Sequence, residues 1–199
     1  MKRYDRDYFE RWYRNERTRV HVTGALDRKV HFAVHVAEYL LERPIRSVLD
    51  VGCGEGVWQP ILHRLRPQAR YAGVDSSEYA VKRFGRKRNL RLGTFGALGT
   101  LDLEGPFDLI VCADVLHYVR SRELRPGLET IADLLGGVAF LEVFTGADRI
   151  EGDLHEMKRR RPIAYDRAFR AAGLVHCGLY CFVRADFAAG VTAFERGRG

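Results

Sequence analysis

Residues 48–56 read Val48-Leu49-Asp50-Val51-Gly52-Cys53-Gly54-Glu55-Gly56, an apolar run broken by one carboxylate and closed by three alternating glycines. Such a run is a buried strand entering a tight turn, and the residues after it continue with helical spacing. Glycine there lets a ligand approach the backbone closely, and the helix beyond presents unpaired N–H groups. A strand–turn–helix unit of this kind is a component of an open parallel sheet, where ligands sit at the carboxyl ends of the strands.

The rest of the chain repeats that unit. Strands are expected at Ser47–Val51, Tyr71–Val74, Leu90–Leu92, Phe107–Cys112 and Val138–Phe144. Helices are expected at Val57–Leu65, at Glu78–Phe84 after the capping residues Ser76 and Ser77, at Glu123–Leu135 and at Tyr165–Ala172. The alternation gives an α/β, Rossmann-like fold with helices on both faces of a mostly parallel sheet. Leu174–Val183 and Val191–Glu195 read as two last strands joined around Asp186, which makes seven strands with an antiparallel C-terminal hairpin. Upstream, Tyr4 to Arg19 repeats aromatic residues at four-residue spacing. Leu26, Val30, Val34, Ala37 and Leu41 mark a second amphipathic helix, separated from the first by Gly24. Residues 1–45 are therefore expected as an N-terminal helical cap on a core of 46–199, together one compact domain.

A chain of 199 residues with 46% hydrophobic and 30% charged residues suits one folded core rather than disorder. The charged start Met1-Lys2-Arg3-Tyr4-Asp5 and the lack of about 18 uninterrupted apolar residues lead to an expected cytoplasmic location with no membrane partner. Cys53, Cys112, Cys177 and Cys181 form no CxxC pair, so reduced thiols are expected, with Cys177 and Cys181 on one face of a strand. His31 and His35 stand four apart, but without HExxH or a third ligand they suggest no metal. The formal charge is +7, with nine Lys/Arg against five Asp/Glu in residues 1–30 and basic clusters at 82–91 and 158–161. Such clusters read either as solvated helix faces or as steering for an anionic substrate or nucleic acid.

The glycine spacing narrows the ligand. A dinucleotide site uses GxGxxG to seat a pyrophosphate, whereas here the spacing is GxGxG and Val57 occupies the last glycine position. Asp50 just ahead would repel a pyrophosphate and suits a ligand with a positive group. VLDVGCGEG resembles motif I of the class I S-adenosylmethionine-dependent methyltransferases, a resemblance running from about Val48 to Phe144. It implies that Asp50 lies near the methionine end of the cofactor, and that Gly52, Cys53 and Gly54 admit the adenosine. It further implies that Asp75, beside Ser76, holds both ribose hydroxyls, as one carboxylate can. Phe107 to Tyr118 resembles motif IV, which places Cys112 and Ala113 beside the cofactor. Where many family members carry Gly-Asp after the third strand, this chain reads Leu92-Gly93-Thr94-Phe95-Gly96-Ala97. Adenine is therefore expected against backbone groups and Phe95, between Thr94 and Gly96.

His117 and Tyr118 follow the fourth strand, the place of a general base or substrate clamp, with helix-start packing as the alternative. Displacement at a sulfonium needs mainly alignment, so the chemistry does not demand a base. Tyr8, Trp12 and Tyr13 are expected as a lid on the cofactor and substrate, since aromatic faces attract cations, with ordinary helix packing as the alternative. Trp58 carries the same pair of readings. The expected function is S-adenosylmethionine-dependent methyl transfer to an oxygen or nitrogen of a small-molecule acceptor, for which the basic charge suggests an anion. One alternative is an RNA or other nucleic-acid methyltransferase, although Cys112-Ala113-Asp114-Val115 stands where an NPPY-like motif would. The other is a non-catalytic cofactor-binding protein.

Overall fold

A computed structural model of the chain describes residues 4–15, 24–150 and 152–196. Seven strands form one sheet: β1 (Ser47–Val51), β2 (Arg70–Asp75), β3 (Leu90–Leu92), β4 (Phe107–Ala113), β5 (Leu135–Glu142), β6 (Leu174–Gly178) and β7 (Cys181–Arg184), in the spatial order β3-β2-β1-β4-β5-β7-β6. β1 to β5 pair in parallel, and β7 runs antiparallel to β5 and to β6. The helices are α1 (Arg6–Phe9), α2 (Ala25–Leu41), α3 (Trp58–Leu65), α4 (Glu78–Arg88), α5 (Ser121–Leu134), α6 (Pro162–Ala171) and α7 (Ala185–Ala188). A π-helical turn over Glu10–Arg14 extends α1, and a 3₁₀ stretch covers Phe95–Thr100. This is the expected Rossmann-like architecture.

The two-residue period of the strands divides the core. On β4, Leu109 and Val111 pack toward α2 and α3, while Ile110 and Cys112 pack toward α5 and α6. On β1, Val48 joins the first layer, and Leu49 and Val51 join the second. Both faces of the central strands are covered, which is why they read as unbroken apolar runs. α4 starts where expected because the Ser77 hydroxyl accepts from the Ala80 N–H at 3.0 Å.

Three segments differ from the sequence reading. Leu174–Val183 is two strands, because Gly178, Leu179 and Tyr180 all take positive φ and turn the chain back on itself. The hairpin therefore closes there and not around Asp186, which sits in α7, while residues 191–195 form turns. Cys177 and Cys181 consequently lie on adjacent strands rather than on one. The N-terminal helix ends at Arg14, with Asn15 extended; its expected continuation over residues 16–19 lies outside the described residues.

The 3₁₀ stretch packs tightly against α5, most closely at Gly127. A Cβ on Gly127 would stand 2.2 Å from Cε1 of Phe95 and 2.5 Å from the Phe95 carbonyl oxygen. Alanine favours a helix interior over glycine, by about 1 kcal/mol. Overpacking against an immovable backbone atom costs about 1–3 kcal/mol. Gly127→Ala is therefore expected to lower the denaturant midpoint, measured by urea unfolding; a raised midpoint would show that helix propensity outweighs this contact.

Candidate functional site

The strand order reverses between β1 and β4, so their following loops diverge and leave a crevice at the carboxyl end of the sheet. A cavity of about 250 Å³ opens there. Its floor comes from the ends of four parallel strands: Asp50 and Gly52 from β1, Asp75 from β2, Ala113 and Asp114 from β4, and Glu142 from β5.

Asp50 is buried at 2% exposure and accepts a hydrogen bond from the Tyr71 hydroxyl at 2.8 Å. Register permits this contact: Gly73 pairs with Asp50 across β1 and β2, and a Cβ on Gly73 would come within 3.2 Å of the Tyr71 oxygen. Burial raises the Asp50 carboxyl to about 7; the Tyr71 hydrogen bond opposes this shift, and the Asp75 charge adds to it. Asp75 accepts from the Gly54 N–H at 2.7 Å through one oxygen and from the Ser77 N–H at 2.8 Å through the other. Burial holds its carboxyl above the ordinary range against those bonds. A carboxylate has about four acceptor sites, so lone pairs remain on the cavity side.

The N-terminal segment closes the cavity from above. Asp5 caps α1 by accepting from the Tyr8 N–H at 3.1 Å. Ring pairs Tyr4–Tyr8 and Phe9–Tyr13 stack edge-on at 5.0 and 4.9 Å. The π-helical turn, a feature frequent at functional sites, carries Tyr13 down to the glycine turn. A Cβ on Gly54 would stand 2.7 Å from the Tyr13 oxygen. Arg14 anchors the segment by donating through Nη2 to both oxygens of buried Glu55, at 2.6 and 2.8 Å. Burial foremost, then the charges of Asp75, Asp114, Cys53 and Asp50, pushes the Tyr13 phenol upward, so it remains a protonated donor.

The far wall follows β4. Asp114 takes φ 64°, a left-handed conformation that aspartate tolerates better than most residues. His117 is fully buried, with its Nε2 3.3 Å from Asp114 Oδ1. The loop between β5 and α6 is tied to this wall at two points: Tyr118 Oη donates to the Asp153 carbonyl, and the Lys158 N–H donates to the His117 carbonyl at 2.7 Å.

Of the residues singled out from sequence, Asp50, Gly52, Cys53, Gly54, Trp58, Asp75, Ser76, Ala113, His117, Tyr118, Tyr8, Trp12 and Tyr13 all line this cavity. Thr94, Phe95, Gly96 and Cys112 do not. Cys112 points to the α5 layer by strand alternation, the Phe95 ring lies under Gly127, and Thr94 is exposed. Asp114, Asp153, Tyr4 and the Lys29–Glu142 ion pair, at 2.6 Å, also line the cavity without having been singled out. Glu142 lies within the strand expected at Val138–Phe144 and ends the observed β5. Tyr4 and Asp153 reach the site only through tertiary packing.

Residues 17–187 match a family model described as a methyltransferase domain. The chain belongs to the class I S-adenosylmethionine-dependent methyltransferases. The malonyl-[acyl-carrier protein] O-methyltransferase of Legionella pneumophila is 34% identical to this methyltransferase over 88 residues, covering 42% of this chain and 31% of that protein. The chain spans less than half the length of the curated relatives it matches. Among solved structures, Streptomyces venezuelae DesVI superposes with TM-score 0.63 at 17% identity, covering 81% of this chain and 93% of that one. The plantazolicin methyltransferase BamL, solved with a desmethylplantazolicin analogue and S-adenosylhomocysteine, superposes with TM-score 0.62 at 15% identity, covering 79% and 69%. These likenesses establish the fold.

S-adenosylmethionine is the cofactor of the methyltransferase, and the cavity's donor set fits it. A Cβ on Gly52 would stand 2.4 Å from Val115 Cγ2, so the turn packs flat against the β4 tail and leaves its other side to the cavity. Two buried carboxylates face a ligand that carries a positive group and vicinal hydroxyls. The 250 Å³ volume lies below the roughly 300–1,000 Å³ of ligand pockets.

The raised Asp50 carboxyl gives a pH signature. An unfolded aspartate titrates near ~3.9. Between there and about 7 the folded chain keeps a proton that the unfolded chain has lost. Stability from this group is therefore lost as pH rises through that window. Asp50→Asn is expected to flatten the fall in melting temperature of the cofactor-free protein from pH 4 to 7.5, while weakening cofactor binding at pH 8 at least tenfold by calorimetry. An unchanged pH slope would place the titrating group elsewhere.

Proposed function

We propose that the protein transfers a methyl group from S-adenosylmethionine to an oxygen or nitrogen of a small-molecule acceptor. The observation that carries this reading is the shape of the cavity. It is roofed by Tyr8, Trp12 and Tyr13 and walled by Ile150 and Asp153 of the β5–α6 loop, so an acceptor must be small enough to enter beneath the roof. The bound cofactor supplies an electrophilic methyl group on a positively charged sulfur. The chain's own residues supply position. In this reading Asp50 holds the cationic methionine end and Asp75 accepts from both ribose hydroxyls. Gly52 and Gly54 admit the nucleoside, and Ala113 and Trp58 exclude water from the reacting side. Aromatic faces near a sulfonium stabilise its charge. His117 takes the acceptor's proton where one must leave, with Asp114 favouring its imidazolium form.

BamL, solved with a triazolic desmethylplantazolicin analogue and S-adenosylhomocysteine, supports this acceptor class by analogy of fold. Exposed Lys82, Arg83, Arg86 and Lys87 lie on the outer face of α4 and do not line the cavity. They are solvated helix surface in this reading.

Incubation with methyl-labelled S-adenosylmethionine and a metabolite extract is expected to label a compound of low mass. Asp75→Ala is expected to reduce cofactor affinity at least tenfold and abolish labelling. Label in an RNA fraction and none in small molecules would contradict the reading.

A further inference from the structure

Among the described residues that line the cavity there is one lysine, Lys29, and no arginine. Its Nζ donates to Glu142 Oε2 at 2.6 Å, and both side chains are largely buried. The fold sets this contact. Lys29 and Phe32 stand about one turn apart on one face of α2, and Phe140 and Glu142 share one face of β5. The Phe32 and Phe140 rings pack edge-on at 6.2 Å, and one helical turn earlier α2 brings Lys29 to Glu142.

Asp50 lies on the same face of the sheet. Val48 packs in the layer under α2, and Asp50 follows two residues later on β1. Only β4 separates β1 from β5, so Asp50 and Glu142 are two strand spacings apart, about 10 Å across the sheet. In the reading above, Asp50 holds the ammonium of the cofactor's methionine end. The carboxylate on the same carbon needs donors of its own, because a buried anion without them is costly. The glycine turn has already committed most of its donors. The Gly52 and Cys53 N–H groups donate to the Val74 carbonyl at 2.7 and 3.2 Å, and the Gly56 N–H donates to the Cys53 carbonyl at 2.8 Å. The Gly54 N–H donates to Asp75. A lysine on a flexible four-carbon stem, hydrogen-bonded to one side chain, is a donor that can change partner.

We propose that Lys29 is the carboxylate-binding residue of the cofactor site and that Glu142 is its competing counter-ion. On binding, Lys29 exchanges Glu142 for the cofactor's carboxylate by swinging toward Asp50. This rests on the placement of the methionine end at Asp50 and adds a competition to it. Glu142 opposes binding in two ways, by holding Lys29 and by repelling a second carboxylate. S-adenosylhomocysteine, the product, carries the same carboxylate, so Glu142 also limits how tightly the product is retained.

The test compares S-adenosylhomocysteine with its decarboxylated analogue, which keeps the nucleoside, the sulfur and the ammonium. Binding of each to the full chain is read by calorimetry. Lys29→Met is expected to weaken S-adenosylhomocysteine by about tenfold or more and to leave the analogue within about twofold, so that the preference for the carboxylate disappears. Glu142→Gln is expected to act in the opposite direction, tightening S-adenosylhomocysteine by about threefold with the analogue unchanged. Removing one partner of a buried pair can unfold a chain, so Lys29→Met/Glu142→Gln, which leaves neither charge, serves as the second variant and is expected to lose the same preference. The assignment is overturned by equal affinity of the unaltered chain for the two ligands, by an equal loss of both in Lys29→Met, or by weaker S-adenosylhomocysteine binding in Glu142→Gln. Asp50→Asn separates this failure from that of the reading beneath it. If Asp50→Asn leaves S-adenosylhomocysteine affinity unchanged at pH 8, the placement at Asp50 fails and this inference with it. If Asp50→Asn weakens binding and Lys29→Met does not, the role of Lys29 alone is overturned.

Discussion

The carboxylate of Asp75 joins two turns that the chain could otherwise hold independently. One oxygen accepts from the Gly54 N–H and the other from the Ser77 N–H, so the glycine turn after β1 and the start of α4 after β2 share one buried anion. Without that link the glycine turn would leave a buried N–H unpaired, at a cost of about 1–3 kcal/mol. With it, the turn stays open toward the cavity, and the carboxylate keeps lone pairs for a ligand. Tyr71 does similar work for Asp50 across the same strand pair. The site is thus built from acids whose partners are backbone and phenol, and burial raises both above their ordinary range against those hydrogen bonds. That cost is tolerated at a site that must receive positive charge.

The roof is built on different terms. Among the described residues it is anchored by Arg14, whose Nη2 donates to both oxygens of Glu55, and by the Ser77 hydroxyl, which donates to the Tyr4 carbonyl, and its interior is a ladder of edge-on tyrosine and phenylalanine rings. Glu55 belongs to the glycine turn itself, so the same short sequence shapes the floor and fastens the lid.

How far the sequence foretold this depends on the range of the forces involved. β1, the turn and α3 were legible because glycines and apolar runs act locally, while Asp50 and Asp75 were marked by the resemblance to the methyltransferase motifs. The break at Gly178 to Tyr180 was hidden because Leu179 and Tyr180 are apolar residues that take positive φ, and composition continues the strand through them. Phe95 is instructive in the other direction. Its place after β3 suggested an adenine contact, but Gly127 on α5 offers a gap that only its ring fills, and that partner is 32 positions away in the chain. That Asp114 and Asp153 line one cavity was likewise invisible, since β4 and the β5–α6 loop meet only in the fold.

Everything this site does depends on where a nucleoside settles in the crevice. A crystal structure with S-adenosylhomocysteine bound measures that most directly. The predicted result has the ribose hydroxyls on Asp75, the amino-acid end near Asp50, the sulfur facing Asp114 and His117 beneath Tyr8, and Phe95 still under α5. A nucleoside stacked on an exposed Phe95, or bound away from the Asp50–Asp75 pair, would contradict it.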